Sequence, residues 1–289
     1  DELAKAINEH VKVPGVEIIF KRSTGHRAAL VLRGKGLAPD ISETDPKKEG
    51  LSIKECHTIK DTPGAQRTAE VVNSISRQVI EVLDHHPVNE ERRKQGLPVG
   101  NCILIRGAGE VPHIPPFSEK YGMKGAVVAA AGLIIGIGKM CGLDYLPVDG
   151  MEIEASGSSA TAKLKKAVSA LETYDFVLVN IKGADEAGHD GNFDKKAAFL
   201  QEADSAFKVL LTLKDTIVIV CVDHSTPVSI KDHSADPVPV LMHGPGIRID
   251  EVAHYNEIEA YKGGLHRIKG MDIMPIAYDL INRTKKFGA

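Results

Sequence analysis

Two short apolar runs, each ending in an acid and an imidazole, constrain this 289-residue sequence more than any other feature. Thr216 to Val222 is apolar and mostly β-branched, the pattern of a buried parallel strand. It runs straight into Asp223-His224-Ser225-Thr226-Pro227, with His233 nine residues beyond the first histidine. Val177-Leu178-Val179-Asn180-Ile181 is a second such strand, and it enters Lys182-Gly183-Ala184-Asp185-Glu186-Ala187-Gly188-His189-Asp190-Gly191. Open α/β sheets place their ligands outside the carboxyl ends of the strands. Two strand ends here each carry a carboxylate and an imidazole into a polar loop, an arrangement suited to holding a metal ion.

The surrounding sequence alternates in the same way. Cys102 to Ile105 reads as a strand ending in Arg106-Gly107-Ala108-Gly109, and Gly125 to Ala130 as a strand followed by a helix through Lys139. Helices are expected over Thr161–Leu171, Ala197–Leu211 and Met271–Asn282, and a short edge strand over Val238–Leu241, where proline cannot donate to a ladder. This pattern predicts an α/β fold with a doubly wound sheet. Residues 1–97 have a different texture. Val16–Arg22 and His26–Arg33 flank Ser23-Thr24-Gly25 as a hairpin, Leu37–Gly64 is mostly loop, and Gln66–Leu83 carries apolar residues at helical spacing. The proline-marked, charged stretch His85–Pro98 is expected to separate a small α/β cap, residues 1–97, from the main domain, residues 98–289.

Composition narrows the function. A formal charge of −3 without a basic cluster gives no support for nucleic-acid binding. The longest apolar run, Gly125 to Gly138, is too short for a bilayer, so no membrane association is expected. The opening residues do not read as a signal peptide. Cys56, Cys102, Cys141 and Cys221 lack metal-type spacing, and a reduced, cytoplasmic protein is the expectation. The sequence opens Asp1-Glu2-Leu3-Ala4 inside what reads as a helix, with no apolar strand before it. The cap is therefore expected to be incomplete at its N-terminal side and the main domain to lack its first strand.

A single histidine or aspartate at a strand end is usually a satisfied polar residue or a turn former. Five in three clusters, Asp185 with His189, Asp223 with His224, and His233, form a donor set suited to Zn²⁺, Mn²⁺ or another borderline ion rather than Ca²⁺. One open catalytic ion needs fewer ligands, so two are expected.

Residues 182–191, Asp223-His224-Ser225 and Asp232-His233-Ser234-Ala235-Asp236-Pro237-Val238-Pro239 resemble the metal loops of cofactor-independent phosphoglycerate mutases. The likeness is to the archaeal-type branch, within the alkaline phosphatase superfamily. It extends to Ser23-Thr24-Gly25-His26-Arg27-Ala28, Ile41–Pro46, Arg106-Gly107-Ala108-Gly109, Phe117–Gly122 and Lys286-Phe287-Gly288-Ala289. The resemblance implies an alkaline-phosphatase-like sheet with a cap. It also implies two divalent ions (Mn²⁺, Zn²⁺, Co²⁺ or Mg²⁺), one held by Asp185, His189 and His233 and the other by Asp223 and His224. The reaction it implies is interconversion of 3-phosphoglycerate and 2-phosphoglycerate through a phosphoserine, in glycolysis and gluconeogenesis. The family's serine and first-strand aspartate have no match in this sequence. Val148-Asp149-Gly150 with Ser156, Ser158 and Ser159 reads instead as a loop and helix cap.

Two cations about 4 Å apart can hold a phosphoryl group, activate a hydroxyl and offset leaving-group charge. Imidazoles ligate only when neutral, so activity is expected to fall in acid. A doubly charged phosphate and a carboxylate call for cations, and Arg106, Lys120, His26 and Arg27 are the candidates for holding substrate. Two other readings remain open at this level. One is a metal-dependent phosphatase or phosphonate hydrolase of the same superfamily. The other is an inactive metal-binding fragment without the nucleophile. Oligomeric state is not legible.

Overall fold

The computed structural model describes residues 1–23, 26–148 and 157–284, with side chains in the last range from residue 160 onward. The chain divides into two compact units, Asp1–His113 and Ile114–Ala289.

In the first unit, helix α1 (Glu2–His10) packs on strand β1 (Glu17–Arg22) and on the long helix α2 (Pro63–Asp84). Strand β2 (Ala28–Arg33) pairs antiparallel with β1, from Glu17 opposite Arg33 to Arg22 opposite Ala28. Thr24 and Gly25 of the expected hairpin turn lie outside the described residues, but Ser23 N–H donates to the Arg27 carbonyl at 2.9 Å and closes the loop. The spacing of Val71, Ile75, Val79 and Leu83 lays one apolar stripe of α2 against Ala6, Ile7 and Val11. Thr62 begins this helix a turn earlier than the apolar periodicity shows, because its hydroxyl accepts from Ala65 N–H at 3.2 Å and Pro63 stands at the first helical position. Ile41, Cys56, Ala65, Ala69 and Val72 form a second small core.

The stretch expected to mark the domain boundary carries helix α3 (Pro87–Lys94), capped by His86. Its Asn89 is fully buried and uses its amide completely. It donates to the Leu83 and Gly100 carbonyls at 2.7 and 3.0 Å and accepts from Gly100 N–H at 2.9 Å. The strand expected at Cys102–Ile105 is not formed. Thr44 N–H donates to the Ile105 carbonyl at 2.9 Å, but Ile105 N–H goes to the Thr44 hydroxyl at 2.7 Å, so a side chain takes the place of the next ladder partner. Ile103 and Ile105 pack onto the first unit's cores.

The second unit opens with the short helix α4 (Phe117–Tyr121) and then a parallel three-stranded sheet. Strand β3 (Gly125–Val128) is its centre and is buried at every position. Strand β4 (Asp144–Tyr145) flanks one side, reached through helix α5 (Gly132–Met140). Strand β5 (Phe176–Val179) flanks the other, reached through helix α6 (Gly157–Ala170). Helical crossovers are the expected connection between parallel strands of one sheet. Helix α6 begins before Thr161, at Gly157, and the Asp149–Ser156 segment ahead of it lies outside the described residues.

After β5 come helix α7 (Ala184–His189) and helix α8 (Phe193–Phe207), which continues through a 3₁₀ turn to Thr212. Strand β6 (Val218–Cys221) corrects one expectation. It pairs antiparallel with strand β7 (Val240–His243), from Val218 opposite His243 to Cys221 opposite Val240. An apolar β-branched run marks a strand but carries no information on its partner's direction. Helices α9 (Glu257–Ala260) and α10 (Ile273–Leu280) follow, and Met274 and Tyr278 of α10 pack on the core of Phe117, Met123, Val127 and Leu143. Lys286–Ala289 lie outside the described residues. Among the described residues no helix is long and apolar enough to cross a membrane.

Candidate metal centre

Strand β5 ends at Val179, and the chain turns sharply at Gly183, whose φ of 149° lies in the region open to glycine. The Phe199 ring occupies the space a Cβ would need there. This turn starts α7, and one turn of helix carries Asp185 and His189 on the same face, four residues apart. Strand β6 delivers Asp223 and His224 immediately after it. The loop that follows is closed by a bridge between Ser225 and Ser234, with Ser234 N–H donating to the Ser225 carbonyl at 3.0 Å. His224 and His233 each stand one residue before a bridge partner, so their rings lie 3.8 Å apart between centroids.

Three donors converge. Asp185 Oδ1 lies 3.4 Å from His189 Nε2 and 3.6 Å from His233 Nε2, and the two imidazole nitrogens are 3.2 Å apart. A triangle of that size has its corners about 2 Å from a common point, the length of zinc–nitrogen and zinc–carboxylate bonds. His224, with Asp185 and His233, also offers ligand atoms within 4.8 Å of one another. Asp223 is less gathered. Its Oδ2 stands 3.5 Å from His224 Nε2, its side chain is 80% exposed, and its Oδ1 accepts from His224 N–H at 3.0 Å. The structure thus brings Asp185, His189, His224 and His233 together and leaves Asp223 at the rim.

Hydrogen bonds preset the ring orientations. The Lys231 carbonyl, 3.1 Å from His189 Nδ1, can only accept, so a proton on Nδ1 completes this bond and leaves Nε2 its lone pair for an ion. Thr226, almost fully buried, donates its hydroxyl to Asp185 Oδ1 at 2.8 Å and stands 3.3 Å from His224 Nδ1. Burial pushes the Asp185 carboxyl upward, but the Thr226 hydrogen bond and the neighbouring His189, Lys182 and His224 more than offset it. The group is held below the usual carboxylate range. Gly188 lies against Thr226 so closely that a Cβ there would collide with the Thr226 carbonyl oxygen. That carbonyl also accepts from Lys196 Nζ at 2.7 Å. Thr226 is the residue that sequence reasoning passed over. Its signal was present only as a threonine two positions after the histidine of Asp-His.

The cations expected at substrate are divided between the two units. Arg106 belongs to the first unit, with Nε 3.6 Å from Asp45 Oδ2 and its side chain 59% exposed. His26 and Arg27 are exposed beside the hairpin turn of that unit. Among the described residues no hydrogen bond or ion pair joins them to Arg106. Lys120 lies on α4 of the second unit, exposed, with Nζ 5.2 Å from the centroid of the Tyr121 ring.

A parallel sheet whose strand β5 feeds this donor cluster defines an alkaline-phosphatase-like metalloenzyme, and the family model described as "Metalloenzyme superfamily" matches residues 46–280. A second model, "2,3-bisphosphoglycerate-independent phosphoglycerate mutase", matches residues 1–89. The mutase of that name from Methanoculleus marisnigri is 50% identical over 291 residues, covering 100% of this chain and 71% of the relative. A solved structure from Pyrococcus horikoshii superposes with a TM-score of 0.80 at 34% identity, over 100% of this chain and 70% of the other. The cofactor-independent phosphoglycerate mutase of Thermoplasma acidophilum does so with a TM-score of 0.71 at 33% identity, over 97% and 69%. The chain belongs to the 2,3-bisphosphoglycerate-independent phosphoglycerate mutase family.

Proposed function

We propose that this chain carries the metal-dependent site of a phosphoglycerate mutase that interconverts 3-phosphoglycerate and 2-phosphoglycerate without 2,3-bisphosphoglycerate. The observation that carries the reading is the convergence of Asp185, His189 and His233 on a point about 2 Å from each, in a chain 50% identical to a named mutase. In this reading Asp185, His189 and His233 hold one divalent ion, and Asp223 and His224 hold a second. Mn²⁺, Zn²⁺, Co²⁺ and Mg²⁺ are the candidates. Bound there, such ions supply Lewis acidity toward phosphoryl oxygens. The residues of the chain set the geometry. The Lys231 carbonyl orients His189, and α7 holds Asp185 beside it.

Arg106, Lys120, His26 and Arg27 are carried in the proposal as substrate-binding cations, Arg106 for bidentate contact with phosphate or carboxylate. The small unit, which includes residues 1–97, takes the role of cap, retaining glycerate while phosphate is exchanged. That retention separates a mutase from a phosphatase. The route passes through a phosphoserine, and no serine of this chain is assigned as its nucleophile. A cytoplasmic location suits such an enzyme and the four free cysteines. The comparisons do not favour a phosphatase or phosphonate hydrolase.

A coupled assay with Mn²⁺ tests the reading. Interconversion of the two phosphoglycerates, lost on chelation and lost in His189→Ala, is the expected result. Release of inorganic phosphate in place of the isomer would replace it with the hydrolase. Uptake of Mn²⁺ without turnover would support a metal-holding chain that lacks the nucleophile.

A further inference from the structure

Among the described residues, one buried hydroxyl touches ligands assigned to both ions. Thr226 Oγ1 is 2.8 Å from Asp185 Oδ1 and 3.3 Å from His224 Nδ1, and only 4% of the residue is exposed. A hydroxyl has one proton. The ionised carboxylate can only accept, so that proton goes to Asp185, and the hydroxyl is left as an acceptor toward His224. A proton on His224 Nδ1 completes this hydrogen bond and leaves the Nε2 lone pair for an ion, whereas Asp223 Oδ2, 3.5 Å from Nε2, draws the ring toward the other tautomer. Free imidazole side chains have no such constraint, and a histidine in the other tautomer presents an N–H where a ligand lone pair is needed. The hydroxyl itself has little freedom. The Thr226 backbone is pinned by Lys196 Nζ on its carbonyl and by Gly188 packed against that same oxygen.

We propose that Thr226 is a positioning residue that couples the two ion sites, fixing the orientation of Asp185 in one and the tautomer of His224 in the other through a single hydroxyl. The proposal rests on the two-ion reading given above. It makes the sites interdependent, because a shift of Asp185 on one side moves the acceptor that His224 depends on at the other. Partners that orient metal ligands in this way typically change affinity about 10–100-fold when removed.

The test compares Thr226→Val, which keeps the shape and removes the hydroxyl, with Thr226→Ser, which keeps the hydroxyl. In the metal-free protein, the nitrogen shifts of His224 are read by NMR. The wild type and Thr226→Ser are expected to show the Nδ1–H form, and Thr226→Val a mixture or the Nε2–H form. Calorimetry with Mn²⁺ is expected to show two ions in the wild type. Both should weaken about 10–100-fold in Thr226→Val and be largely restored in Thr226→Ser. Two ions bound equally well by the wild type and Thr226→Val would overturn the coupling while leaving the two-ion reading in place. A wild type that binds a single ion would overturn both. Weakening in Thr226→Ser as large as in Thr226→Val would assign the effect to methyl packing and overturn the role of the hydroxyl. An unchanged thermal unfolding midpoint without metal separates all of these from misfolding.

Discussion

His189 Nε2 and His233 Nε2 lie 3.2 Å apart, although 44 residues of chain separate them. Both nitrogens also face Asp185 Oδ1. In the proposed reading a cation completes this cluster, so binding should stabilise the native state. With Mn²⁺ at 100 times its dissociation constant the gain is about 2.7 kcal/mol. Thermal unfolding with and without Mn²⁺ measures it. The gain should shrink in His189→Ala, and an unchanged gain there would remove His189 from the ligand set.

Gly188 of α7 packs against Thr226, where an added Cβ would meet the carbonyl oxygen. Gly188→Ala forces the Thr226 carbonyl away and with it the hydroxyl on Asp185. Overpacking of this kind costs about 1–3 kcal/mol. Urea unfolding should show that loss, and Mn²⁺ affinity should fall in the same variant. A normal affinity would show that the loops adjust independently of the donor cluster.

Ile75 is fully buried on the stripe of α2 that faces α1. Ile75→Ala should lower the stability of the first unit by about 2–5 kcal/mol. Ile249, which is 99% exposed, provides the control, and Ile249→Ala should change stability by less than about 0.5 kcal/mol. Hydrogen exchange in α1 and α2 would assign the loss to the first unit.

Tyr255 donates its hydroxyl to the Pro239 carbonyl at 2.9 Å, just ahead of β7. Burial pushes the phenol up to about 12, and the charges of Cys221 and Glu257 act in the same direction. A group raised in the folded state contributes stability that is fully present below its unfolded value and is lost as pH rises through the folded value. Wild-type stability should therefore decline between about pH 10 and 12. Tyr255→Phe should lack that limb and lose about 1 kcal/mol at neutral pH with the hydrogen bond. Urea midpoints across the range decide it, and parallel curves for the two proteins would refute the assignment.

Local chemistry was enough to read much of this protein from its residues. The α2 helix followed from the spacing of Val71, Ile75 and Val79, and β5 and β6 from runs of β-branched residues, because periodicity and burial are properties of neighbouring residues. The acids and imidazoles that end those runs are legible for the same reason. What depended on distant partners was not legible. The pairing of β6 with β7, the loss of a strand at Cys102–Ile105 to the Thr44 hydroxyl, and the folding of 85–98 around buried Asn89 each turn on a contact that no local pattern encodes. The sequence by itself determined which side chains could ligate an ion. Tertiary structure alone decided that Asp185, His189 and His233 share a point in space, and that the buried Thr226 hydroxyl stands between the two ligand loops, because ligation and hydrogen bonding act over a few ångströms and not along the chain.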